Sequence, residues 1–174
     1  MKMLSHRLAT LDDLDPLSEL MAAAIGELQH GYLDPHRVEA SRQVMGLDRQ
    51  LILDRTYFVV LRDGVLAGCG GWSWRATLFG GDHSEGRDPA LLDPACDPAR
   101  IRAMYTAPAH VRQGVGRYVL GLGETAAREA GFRSAELAAT LSGEPLYRAC
   151  GYKVIERFTA GDCVPLLRMG KPLP

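Results

Sequence analysis

The residues of this 174-residue chain that could do chemistry by type and spacing fall in two short runs. The first is Arg112-Gln113-Gly114-Val115-Gly116-Arg117, which follows a strand-like run stopped at Pro108 and opens a helical pattern. A helix N-terminus leaves several N–H donors unpaired and carries about half a positive charge. With no side chains at Gly114 and Gly116, an anion can rest directly on those donors. Arg112 and Arg117 add charge at the rim. The run therefore makes a phosphate cradle; the alternative is a tight strand-to-helix turn with two solvated arginines. It is not a P-loop, because no Lys-Ser/Thr follows the glycines, and it is not a dinucleotide fingerprint, because the third glycine would have to stand at Val119.

The second run is Ser142-Gly143-Glu144-Pro145-Leu146-Tyr147-Arg148-Ala149-Cys150-Gly151-Tyr152. Between the two lie Ala126, Ala127 and Gly131-Phe132. In this order and spacing the pattern resembles the GCN5-related N-acetyltransferase (GNAT) family. That family has an Arg/Gln-x-x-Gly-x-Gly/Ala pyrophosphate loop, an A-x-x-x-G-[FY] helix ending and an N/S-x-x-A/P-x-x-F/L-Y-x-x-x-G-[FY] block. The resemblance is specific from Arg100 to Phe158 and loose from Leu4 to Trp74. It implies acyl transfer from acetyl-CoA, a co-substrate, to an amine. It implies that the Met104, Tyr105 and Thr106 backbone meets the pantetheine arm, splayed from the strand Ser134–Ala139. Arg112, Gln113, Gly114, Val115, Gly116 and Arg117 would hold the pyrophosphate, with Ser142 also at the cofactor. Tyr147 falls on the family's general-acid tyrosine, where a phenol of pKa about 10 can protonate a departing thiolate; packing beside Tyr152 is the alternative. Two positions depart from the family. Val111 stands where Arg or Gln is usual, and Arg102 where many members carry a glutamate base. The base is thus unassigned among Asp82, His83, Glu85, His110 and water.

Elements must position these residues. Leu14, Leu17, Met21, Ile25 and Leu28 step as one helix face, and Asp34-Pro35 starts one or two further short helices. Thr56–Leu61 and Val65–Trp74 flank an Asp63-Gly64 turn and read as a hairpin. Gly68, Gly70 and Gly71 inside the second strand imply a bulge or a close backbone approach. Trp72 and Trp74 share a strand face, as core or as an aromatic wall beside the acceptor. Residues 76–99 read as a long irregular loop, with one helical turn at Pro89–Leu92, that walls the acceptor site. Its aspartates Asp82, Asp88, Asp93 and Asp97 suggest either a cationic acceptor or simple solvation. Arg100–Thr106, a helix to Gly131, Ser134–Ala139, a short helix over Gly143–Cys150, and strands Tyr152–Phe158 and Val164–Met169 complete the order. The expected fold is α/β, a single GNAT-like domain over 1–174 with a mixed, mostly antiparallel sheet of six or seven strands flanked by helices.

Composition fits one globular domain: 47% apolar, 24% charged and a net charge of −1. That balance argues against a nucleic-acid partner. No apolar run approaches a membrane span, and no leader pattern is read at Met1–Asp12, so a cytoplasmic protein is expected. Cys69, Cys96, Cys150 and Cys163 have no zinc-site spacing, so no metal is expected. The partner expected is an amine acceptor, with a homodimer left open. A catalytically silent acyl-CoA-binding module is the rival function, and an unrelated phosphate-binding domain a third.

Overall fold

The computed structural model describes residues 3–174. Strand β1 (Leu4–Leu8) leads through a 3-10 turn into helix α1 (Leu14–Leu28). The Asp13 carboxylate fixes that entry: it accepts from the Thr10 N–H at 2.8 Å and is clamped by both terminal nitrogens of Arg7. Helices α2 (Pro35–Val44) and α3 (Arg49–Leu53) are each opened by an aspartate, Asp34 accepting from the Arg37 N–H and Asp48 from the Gln50 N–H. Strands β2 (Tyr57–Arg62) and β3 (Val65–Ser73) form the expected hairpin, with Asp63 and Gly64 both at positive φ, as a two-residue turn of right-handed twist requires. Then come β4 (Ala99–Thr106), α4 (Val115–Glu129), β5 (Ser134–Ala139), α5 (Glu144–Ala149), β6 (Lys153–Ala160) and β7 (Val164–Pro172).

All seven strands belong to one sheet in the order β1-β2-β3-β4-β5-β7-β6, and only the β4–β5 pair is parallel. Consecutive strand residues point to opposite faces, so Val59 and Val60 enter different cores. Val59 joins α1, α3, Tyr57 and Cys69 on one face; Val60 joins Ala67, Val115 and Val119 beneath α4 on the other. The β3 glycines permit that second packing. A Cβ on Gly68 would lie 2.5 Å from Val115 Cγ1, and one on Gly70 2.5 Å from Val119 Cγ1. Helix α4 therefore sits directly on β3 backbone.

One expectation needs correction. Pro89–Leu92 is not a helical turn. It runs extended beside Trp74–Thr77, with Ala76 N–H donating to Ala90 O, Thr77 N–H to Asp88 O and Leu92 N–H to Trp74 O. An arm lying against an existing strand end satisfies these groups better than an isolated turn could. The rest of 76–99 is pinned too, with the Asp82 N–H donating to Leu47 O and Ser84 Oγ to Val44 O. Of the two readings of Trp72 and Trp74, core packing holds: they lie edge-on to each other at 5.5 Å, with Trp72 5.8 Å from the Phe132 ring. Neither lines a cavity of the candidate site.

Candidate active site

The site begins where the sheet comes apart. Strands β4 and β5 pair only at Ala99↔Ala135 and Arg100↔Glu136. Beyond them β4 carries a bulge opposite Cys69–Gly71, with Ala103 at φ 51. The Tyr57 hydroxyl holds it, donating to Ala103 O at 2.5 Å. The bulge resets the alternation of the strand: Arg102 and Tyr105 go to the α1–α3 face, while Ile101 and Met104 go to the α4–α5 face.

A cleft of about 760 Å³ occupies one side of this gap. Met104, Tyr105, Thr106, Arg112, Gly114, Val115, Gly116, Arg117, Ser142 and Tyr147 all line it. Gln113 does not; its amide turns back to Ala109 O at 3.5 Å. A 3-10 turn at Pro108–His110 leads into left-handed Arg112 and Gly114, φ 59 and 84, and the latter caps α4. The Tyr118 N–H is the first to bond within the helix, to Gly114 O, so the N–H groups of Val115, Gly116 and Arg117 point out of the helix start. The two glycines differ in purpose. Gly114 faces open space and is required by its φ, whereas a Cβ on Gly116 would lie 2.8 Å from Leu146 Cδ2. Gly116 thus lets α5 approach the helix start. Unpaired donors, two exposed arginines and a cleft of this size suit a large phosphorylated ligand such as coenzyme A. Sequence reasoning missed the opposite wall, Ala24, Ile25, Leu28, Gln29 and Tyr32 of α1 and its end. Nothing in an ordinary amphipathic helix pattern marks those positions.

A second cavity of about 90 Å³ lies across the gap, lined among others by Val44, Met45, Leu78, Phe79, Arg102 and Leu166. Tyr147, Met104, Tyr105 and Thr140 line both cavities, so the two meet there. The Tyr147 side chain is buried, edge-on to Tyr152, and its hydroxyl lies 3.7 Å from Met104 Sδ. Burial pushes this phenol well above its usual pKa, with Cys150 adding to the effect. The hydroxyl therefore keeps its proton through neutral and mildly alkaline pH.

Arg102 explains the missing glutamate. Its guanidinium is buried and donates to Asp48 Oδ2 at 3.0 Å and to Gly80 O at 2.7 Å. Arg87 reaches the other Asp48 oxygen at 2.9 Å. Two arginines, one from β4 and one from the 76–99 segment, thus share one buried carboxylate and fix the segment to the sheet. None of the base candidates reaches the small cavity. Asp82 accepts from the Arg49 N–H, His83 Nε2 meets Arg42 O at 2.8 Å, and Glu85 is exposed. His110 lines the large cleft. Asp88, Asp93 and Asp97 line neither cavity.

Residues 25–152 match the model of the acetyltransferase (GNAT) family. No curated protein matches the sequence closely enough to count as a relative. Solved structures share the fold at low identity. The PaiA N-acetyltransferase of Thermoplasma acidophilum, in complex with coenzyme A, is 15% identical, with 98% of this chain and 99% of that one covered at a TM-score of 0.67. A GCN5-related N-acetyltransferase of Rhodopseudomonas palustris is 17% identical over 97% and 95% of the two chains, at 0.71. YncA of Salmonella typhimurium, with its cofactor acetyl-CoA, is 19% identical over 98% and 94%, at 0.62.

Proposed function

The chain belongs to the acetyltransferase (GNAT) family and is an acetyl-CoA-dependent acetyltransferase; on that basis we propose that it acetylates an amine held in the small cavity, with Tyr147 as general acid. The observation that carries this reading is that Tyr147 lines both cavities. Acetyl-CoA brings an activated acyl carbon and a thiol leaving group. The N–H groups of Val115, Gly116 and Arg117, with Arg112 and Arg117 beside them, hold its phosphates. Met104, Tyr105 and Thr106 present the backbone that the β4–β5 parting leaves unpaired, and Ser142 closes the far wall. Tyr147 Oη gives its proton to the departing sulfur as the new C–N bond forms and the C–S bond breaks. A phenol kept neutral by burial is in the correct state for that donation. The acceptor's own proton leaves through water.

The whole of 1–174 is proposed to act as one domain, because β1, β6 and β7, all outside the matched residues, belong to the same sheet. Among the described residues no helix is long and apolar enough to cross a membrane, and no group of His, Cys, Asp and Glu is placed to hold a metal. The proposed setting is the cytoplasm, with an amine acceptor as the partner. One observation favours a binding-only module instead: Arg102 occupies the place of a base and is spent on Asp48. Thiol release from acetyl-CoA in the presence of amines separates the two. Turnover above the amine-free rate is expected; a CoA-dependent rise in Tm with no thiol release from any amine would leave a sensor.

A further inference from the structure

Resting on the acetyltransferase reading, we infer that the small cavity selects an amine already neutral at working pH: the weakly basic α-amine of an amino-acid amide or peptide end, next to a small apolar group, rather than an alkylammonium. The ionisable groups that line this cavity are Arg102 and Tyr105 from β4 and Tyr147 from α5. From α2 and its end come Val44 and Met45; from the 76–99 segment, Leu78, Phe79 and Gly80; from β5 and its C-terminal end, Leu137, Ala138 and Thr140; from β7, Leu166. No carboxylate is among them. Asp48, behind Arg102, is already claimed by two guanidiniums, at 3.0 and 2.9 Å, so this layer carries one surplus positive charge. Asp82 is held by Arg49, and Asp88 and Glu85 are exposed. An ammonium entering here would meet like charge without a counterion and without a group to take its proton, which disfavours the charged form.

The acceptor's own basicity then decides how much of it can enter. At pH 7.5 an alkylamine of pKa about 10.4 is neutral in roughly one molecule in 800, whereas an α-amine of pKa about 7.7–8.0 is neutral in roughly one in three. The cavity size sets the second limit. At about 90 Å³ this cavity is far smaller than the neighbouring cleft, and it suits the amine with a small neighbour between Leu78, Phe79 and Leu166. The bulk of the acceptor stays outside.

The test uses the whole protein with acetyl-CoA and two acceptor panels: small α-amino amides (glycinamide, alaninamide, serinamide) and size-matched alkylamines such as n-propylamine. Thiol release gives kcat/KM from pH 6.5 to 10, and a CoA thermal shift is recorded alongside. The amides are expected to exceed the alkylamines by at least about tenfold at pH 7.5, the greater nucleophilicity of the stronger bases returning part of the ionisation difference. The amide profiles are expected to level off near their own pKa of about 8, while the alkylamine profiles still rise at pH 10. Equal or better use of alkylamines, a break at one common pH set by an enzyme base, or CoA binding with turnover of neither class would overturn the inference. Absence of both a CoA shift and any thiol release would instead overturn the acetyltransferase reading beneath it.

Discussion

In the proposed reaction Tyr147 has one task, to hold a proton until sulfur departs. Tyr147→Phe should therefore lower kcat by roughly 10²–10⁴-fold while changing KM for acetyl-CoA little. Steady-state kinetics with any accepted amine measures both, and an unchanged kcat would reduce Tyr147 to a packing residue. Because burial raises this phenol's pKa, loss of its proton should not produce the alkaline limb of the rate profile near pH 10. At this scale the sequence was legible where a residue type performs one local task. Gly114 was readable because a left-handed cap at a helix start selects glycine. Gly116 was readable as a glycine but not in its reason, since Leu146 lies 30 residues downstream and only the folded chain brings it there. Arg102 showed what it is not; its bond to Asp48 spans 54 residues, and no spacing rule announces such a pair.

Among the elements, the start of α4 and the 76–99 segment divide the work. A carboxylate at Gly116 would put a negative charge at a helix start already suited to phosphate and would press on Leu146. Gly116→Asp should then abolish most of the Tm rise that CoA gives the wild type, a rise worth about 2.7 kcal/mol at 100 times Kd. Differential scanning fluorimetry reads it, and a full shift in the variant would move the cradle elsewhere. Phe79 lines only the small cavity and stacks 5.7 Å from Phe158. Phe79→Ala should leave the CoA shift intact, widen the range of acceptors and cost about 3 kcal/mol or somewhat less, because its ring is only part-buried. Loss of CoA binding in a folded Phe79→Ala protein would place the segment at the cofactor instead. The elements themselves followed from period and punctuation, from the Asp63-Gly64 hairpin to the apolar stripe of α4. The course of 76–99 did not, because its order comes from backbone pairing with Trp74–Thr77 and from Arg87 on Asp48, neither of which leaves a periodic trace.

For the molecule as a whole, buried acids set the alkaline limit. Tyr57, Tyr105, Tyr147 and Tyr152 all have raised pKa values, chiefly from burial, and burial pushes the Cys69 thiol up to about 12. A raised folded-state pKa contributes stability that is complete below the unfolded value and is lost as pH rises toward the folded one. The native chain then holds protons that the unfolded chain has released. Stability should start to fall near pH 9, where an unfolded Cys69 begins to ionise, and steepen above pH 10, at up to about 1.4 kcal/mol per pH unit for each group. Urea midpoints at pH 7, 9 and 10.5 would show the fall, and a flat series would mean that these hydroxyls reach solvent. The β4–β5 seam has a mechanical side. Two paired registers join a four-stranded plate to a three-stranded one, and every other junction between neighbouring strands is longer. The sheet is thus two plates joined along one short edge, with α4 packed on β3 and β4 beside the opening. A long, amide-bearing guest laid in that opening would find unpaired strand edge on both sides, and would supply there the hydrogen bonds that the two halves of the sheet do not give each other.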